Sequence, residues 1–137
     1  MPHTREMPTL TLDAAKALAQ AGEAEARLRG WNVAIAVVNP EGGLILLHVF
    51  DGAQPASQDI SVAKARTAAR FKRPTKALED AVAGGRHALL GVPGMLPLEG
   101  GVPVSLNGAI IGAIGVSGMA SAEDGVVAAA ALRALEG

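Results

Sequence analysis

Apolar positions along this chain repeat with two periods. From Thr11 to Arg29, the small or apolar residues Leu12, Ala15, Ala19, Gly22 and Ala26 recur every three to four positions, which predicts an amphipathic helix. Thr11 is its expected N-cap, Asp13 places negative charge in the first turn, and Gly30 suits a left-handed stop. Glu23–Arg27 and Glu25–Arg29 stand at i,i+4 spacing and are expected to pair on the solvated face. The buried face is made of small residues, so a neighbouring element should pack close to it.

Asn32–Val38 and Leu44–Phe50 are β-rich apolar runs separated by the turn residues Asn39-Pro40-Glu41-Gly42-Gly43, which predicts a hairpin. Period two places Leu44, Leu46, His48 and Phe50 on one face of its second strand. Helical spacing returns from Ser57, a candidate cap, to Phe71, with Ile60, Lys64, Thr67 and Phe71 on one stripe. Pro74 ends this helix, and Thr75 is expected to cap a short one to about Val82. Gly84–Gly101 has no periodicity, and an irregular segment of that length is more often functional or interfacial than filler. Val102–Leu106 and Ala109–Val116 flank Asn107-Gly108, the strongest short hairpin signal. A last helix is expected from a Ser121 cap, with Asp124 in box-like spacing, to about Leu135. Two hairpins with helices between and outside them predict an α/β protein of the α+β kind, one antiparallel sheet flanked by helical layers. The chain reads as a single domain over residues 1–137, with 1–9 as a flexible tail.

Composition narrows the function. The net charge of −1 argues against a general nucleic-acid binder. The absence of cysteine excludes a disulfide framework, a zinc ribbon and a thiol nucleophile. Met1–Leu10 lacks the apolar core of a secretory signal, and Ala109–Met119 is too short to span a bilayer, so a soluble cytoplasmic protein without a membrane partner is expected. Aromatic residues are confined to Trp31, Phe50 and Phe71, so the core must be built from Val, Ile, Leu and Ala. Several glycines lie inside apolar runs, where they mark either close internal packing or the approach of a ligand.

Three features could carry chemistry. Lys64, Arg66, Arg70, Lys72, Arg73 and Lys76 form a stretch without an acid, which is either a solvated helix face or a holder for a carboxylate, phosphate or propionate. Lys64 shares its stripe with Ile60 and Phe71, so it could face a cleft. Gly112, Gly115 and Gly118 recur every third residue on the way into the last helix, without the spacing of a phosphate loop. His48 lies on an apolar strand face and is either a hydrogen-bonded structural residue, an axial iron ligand or an acid–base group. No His-x-x-x-His or Glu-x-x-His motif is present, so no metal site is assigned, and no Gly-x-Ser-x-Gly elbow supports a hydrolase.

In fixed order, the chain carries Trp31 to Val38, Asp51-Gly52-Ala53, Pro55-Ala56-Ser57, Asp59-Ile60, Lys64 to Ala68, Arg73-Pro74-Thr75, Pro93-Gly94, Gly100-Gly101-Val102-Pro103 and Ile111 to Gly118. From about Leu10 to Leu135 it resembles the GlcG/HbpS-like family of small haem-binding proteins, which also occurs as the C-terminal domain of PduO-type proteins. The resemblance implies a profilin-like, three-layer fold and a homo-oligomer packed through helices and the irregular segment. It implies haem as cofactor in some members, a link to haem degradation or redox sensing in one branch, and corrinoid metabolism in the PduO-linked ones. The positions it implies as pocket lining are Asp59, Lys64, Thr67, Phe71, Gly100, Gly101, Val102, Pro103, Ser117 and Gly118. The sequence departs from the family pattern at Asn39, where an Asp is usual, and at Val49, where an Arg is usual.

Two functional readings follow, beside a third in which the chain is a structural or partner-binding subunit with a vestigial pocket. In the first, the protein is a haem- or tetrapyrrole-binding homo-oligomer in haem handling or redox sensing. In the second, it is an enzyme of small-molecule catabolism acting on a carboxylate-bearing substrate. Lys64 and Arg73 would then hold the anion, and His48 or Asp59 would act as acid–base group.

Overall fold

In the computed structural model, which describes residues 2–136, the chain forms helix α1 (Leu12–Arg29), strands β1 (Ala34–Val38) and β2 (Leu44–Val49), helices α2 (Ala56–Phe71) and α3 (Thr75–Ala83), strands β3 (Gly101–Leu106) and β4 (Ala109–Ser117), and helix α4 (Ser121–Leu132). The four strands form one antiparallel sheet in the order β2-β1-β4-β3, so the two predicted hairpins lie side by side through β1 and β4. Helices α1 and α4 cover one face and α2 covers the other, giving the three-layer α+β arrangement. Residues 2–9 are exposed and carry no helix or strand, and Leu10 is the first buried residue, its N–H donating to the Ile111 carbonyl.

Strand β1 is buried on both faces because it is central. Ile35 and Val37 join the core with α1 and α4, whereas Ala36 and Val38 join a second, alanine-rich core under α2. The hairpin turns are built as their residues demand. Asn39 receives the Glu41 and Gly43 N–H groups on its side-chain oxygen, and Asn107-Gly108 adopts positive φ at both positions, 51° and 80°.

Four local expectations are corrected. Pairing between β1 and β2 slips at Val37/Val38, where Val37 faces Leu46 but Val38 faces Leu44. This bulge turns Leu44 out of line with Leu46 and His48 and onto the α2 side beside Leu47. Ser57 and Thr75 do not cap their helices but sit in the first turn, buried, with their hydroxyls turned toward other elements. Helix α4 is capped from Ala120, whose N–H is taken by Glu123, rather than from Ser121. Glu23 and Arg27 do not pair, although Glu25 and Arg29 do, at 2.8 Å.

Small residues set the layer spacing. On β4, Gly115 lies directly beneath the backbone of Ser61 and Ala65 on α2, and any side chain there would collide with backbone atoms. On α1, Gly22 admits Ile35, Val127 and Ala131 in the same way on the opposite face. Helix α4, apolar on nearly every side, buries Val127, Ala128, Ala130 and Ala131 within the chain, which leaves Val126 as its exposed large apolar residue. Gly115→Ala should therefore cost about 1–3 kcal/mol by overpacking, read from the midpoint of urea unfolding. A midpoint equal to that of the parent chain would contradict this account of the helix–sheet contact.

Candidate functional site

The sequence directed attention to the cations of α2 and to the bare backbone of residues 100–118. The structure brings one of these cations, Lys64, to that backbone, but it fills the space with the chain's own atoms. Gly100 has φ +131° and lies against the Val116 carbonyl, the Lys64 ammonium and Asp124. Gly101 abuts the Lys64 backbone, and its N–H donates 2.9 Å to the Thr75 hydroxyl. Gly112 faces Leu10 and Val38, and Gly118 faces the backbone of Asn32. Ser117 is buried with its hydroxyl 3.5 Å from that of Ser57. Val102 and Pro103 are half-buried on edge strand β3. Within one chain, then, these glycines and their neighbours form a packing seam rather than a slot for a guest.

Lys64 explains why the seam is bare. Its side chain runs from α2 past Gly100, and its Nζ donates 3.0 Å to the Val116 carbonyl and 2.9 Å to Asp124 Oδ2 on α4. Both partners of this ion pair are 2% exposed, so it is shielded from water. The other oxygen of Asp124 accepts the Met119 N–H at 3.0 Å, tying the β4–α4 turn to the same carboxylate. Burial pushes the Asp124 carboxyl above its ordinary range, against the pull of the Lys64 hydrogen bond. The ammonium expected to hold a ligand is therefore committed to the chain's own carboxylate.

The remaining α2 cations face elsewhere. Arg73 is exposed beyond the helix end, its Nε turned back 2.9 Å onto the Phe71 carbonyl. Arg66 and Arg70 instead line a groove of about 640 Å³ between α2, β2 and residues 94–96. Its walls include Leu44, Leu47, Val62, Met95 and Leu96, with Asp59 at the opposite end of α2 from the arginines. Seven residues of helix separate Asp59 from Arg66, about 10 Å. Arg66 Nε donates to the Gly42 carbonyl at 3.0 Å and Arg70 Nε to the Glu41 carbonyl at 2.9 Å. Each guanidinium is thus oriented by the β1–β2 turn, and neither forms an ion pair among the described residues. Thr67 shapes the wall: its hydroxyl donates 2.7 Å to the Ala63 carbonyl and accepts the Leu96 N–H at 3.0 Å, pinning the irregular segment onto α2. Met95 is a groove residue that the sequence did not point to, whereas Arg66 and Arg70 belong to its basic stretch. Only the bulge that turns Leu44 to this side reveals the apolar wall opposite the two arginines.

His48 lies on the other face of the sheet, where its Nδ1 is 2.5 Å from Glu23 Oε1 on α1. Asp59 belongs to α2 on the opposite layer, so His48 and Asp59 share no site within the chain. Nor do Lys64 and Arg73 converge on either of them.

Lys64→Met or Asp124→Asn alone should cost about 3–5 kcal/mol of unfolding free energy, because each leaves a buried polar or charged group without its partner. Replacing both with apolar residues, Lys64→Met with Asp124→Leu, should recover most of that loss. Single variants within about 0.5 kcal/mol of the parent in chemical denaturation would show that the pair is not structural.

Comparison with known proteins agrees with the fold. The family described as "Haem degrading protein HbpS-like" matches residues 10–133. Protein GlcG of Escherichia coli (strain K12) is 45% identical over 108 residues, covering 79% of this chain and 81% of that protein. The crystal structure of a double mutant of Streptomyces reticuli HbpS superposes with a TM-score of 0.92 at 34% identity, covering 100% of this chain and 94% of that one. The crystal structure of a PduOC:Heme complex superposes with a TM-score of 0.85, covering 93% of this chain and 96% of that one, and at 23% identity it speaks to the fold alone. Since the match runs from the first buried residue, Leu10, to the end of α4, the chain belongs to the HbpS-like family.

Proposed function

We propose that the protein binds haem or a closely related flat tetrapyrrole in the groove between α2, β2 and residues 94–96. The observation that carries this reading is the pair of arginines, Arg66 and Arg70, oriented by turn carbonyls and free of carboxylate partners, beside an apolar wall. A macrocycle needs apolar surface, and its propionates need cationic donors with fork geometry. The groove volume of about 640 Å³ falls in the range of small-ligand sites. Membership of the family described as haem degrading supports the same ligand class.

The residues present fit the porphyrin better than they fit its iron. No histidine lines the groove, and His48 faces the other side of the sheet. Met95 offers the thioether lining it, a donor type used in cytochrome haem. Bound haem would supply redox chemistry there, while this chain's own residues hold the propionates and cover the ring. We place the protein in haem handling or redox sensing, acting as a homo-oligomer in the cytoplasm. Leu90, 63% exposed in the irregular segment, supports assembly through that segment. The enzyme reading lacks an assembled site, because its proposed anion holders and acid–base groups lie apart.

Haemin added to the purified chain should give a saturable Soret shift at stoichiometric concentration, and absence of that shift would overturn the proposal. Arg66→Ala with Arg70→Ala should weaken binding at least about tenfold, the scale of a lost charge-assisted contact. Retained circular dichroism would show that the overall fold survives the change. Sedimentation should report an oligomer, and a monomer at micromolar concentration would remove the assembly claim while leaving the haem site standing.

A further inference from the structure

The pairing of His48 with Glu23 builds a second cavity, on the α1 side of edge strand β2 and separate from the Arg66/Arg70 groove. It holds about 470 Å³, and its polar lining is Glu23, Arg27, Asn32, His48 and Asp51, with Phe50 as an aromatic wall. A neighbouring hollow of about 330 Å³ shares Arg27, Asn32 and Phe50 and adds Trp31.

The groups are arranged with opposed chemistry. Arg27 lies one helical turn beyond Glu23 and stacks on Phe50, its guanidinium carbon 4.8 Å from the ring centroid. It forms no ion pair among the described residues, although Glu23 would be its ordinary i,i+4 partner. Glu23 instead takes the His48 ring. An ionised carboxylate can only accept, so Nδ1 carries the proton, and in the neutral ring Nε2 is left as an acceptor. Asp51 faces the same cavity and makes no ion pair with Arg27. The cavity therefore presents one oriented cation, Arg27, facing acceptor oxygens of Asp51, Asn32 and Glu23, with His48 Nε2 as a further acceptor while the ring is neutral. A dicarboxylate would meet Asp51 with like charge, and a simple cation would leave Arg27 unpaired.

We infer that this cavity binds a small zwitterion carrying one carboxylate and one ammonium group. Arg27 takes the carboxylate, and Asp51 with His48 Nε2 takes the ammonium. Glu23 acts as a positioning residue that holds the His48 ring in the accepting tautomer.

Trp31 is the sole tryptophan and lines the adjoining hollow, so its fluorescence reports on the site. The probes are glycine, β-alanine and 4-aminobutyrate, which differ in charge separation, with butyrate as the analogue lacking the ammonium. At least one zwitterion should give a saturable change, and butyrate should bind at least tenfold more weakly than 4-aminobutyrate or the best of the three. Arg27→Gln and Asp51→Asn should each weaken the best zwitterion about tenfold or more, while haemin binding stays unchanged. No saturable response to any zwitterion, equal binding of butyrate, or unaltered affinity in Asp51→Asn would each overturn the assignment. The Asp51 variant, at an exposed position, keeps the test decisive should Arg27→Gln disturb the packing on Phe50.

Discussion

The buried ion pair between Lys64 and Asp124 is the interaction on which the rest of this structure turns. It joins α2, on one face of the sheet, to α4, on the other, and it takes the Val116 carbonyl of β4 on the way. Two charges removed from water cost several kcal/mol each, and their attraction offsets this only with good geometry and with their other hydrogen-bonding capacity used. The chain meets that condition: the carboxylate also accepts the Met119 N–H, and no buried side-chain polar atom is left without a partner among the described residues. The pair's contribution lies in specifying how three layers register. An apolar contact could slide, but an ammonium with two fixed acceptors cannot.

Much of the glycine content follows from this constraint. A lysine can pass from one layer to the other only where the backbone between them carries no side chain, and Gly100 and Gly101 provide that gap at the start of β3. Gly115 does the equivalent for α2 itself, letting the helix backbone rest on the strand. The alanine-rich core beneath α2 fits the same close spacing, and it leaves room for the apolar groove wall to form at the sheet edge rather than at its centre.

The sheet then divides the molecule's chemistry. On the α2 side, Arg66 and Arg70 face an apolar wall and suit an anionic, flat ligand. On the α1 side, His48, Glu23, Arg27 and Asp51 make a polar cavity suited to a small molecule with both charges. Strand β2 serves both, because its residues alternate between faces and the bulge near Val38 reassigns Leu44 to the groove. Members of the HbpS-like family share this scaffold, and the side chains set on each face decide what it holds.

The order of elements, both hairpins, the caps at Thr11 and Gly30, and membership of the family were legible in the sequence, because they depend on local periodicity and turn chemistry. Asn107-Gly108 needs no distant partner to form its turn, and Thr11 finds its own Ala14 N–H three residues on. The partners of Lys64, Glu23 and Ser57 were not legible, since each lies between 25 and 60 residues away and depends on how layers stack. The sequence by itself pointed to bare backbone near residues 100–118 and to Lys64 as a cation that could face a cleft. Only the tertiary structure decided that the two meet internally, because a carboxylate from the last helix reaches Lys64 there and excludes both water and a guest.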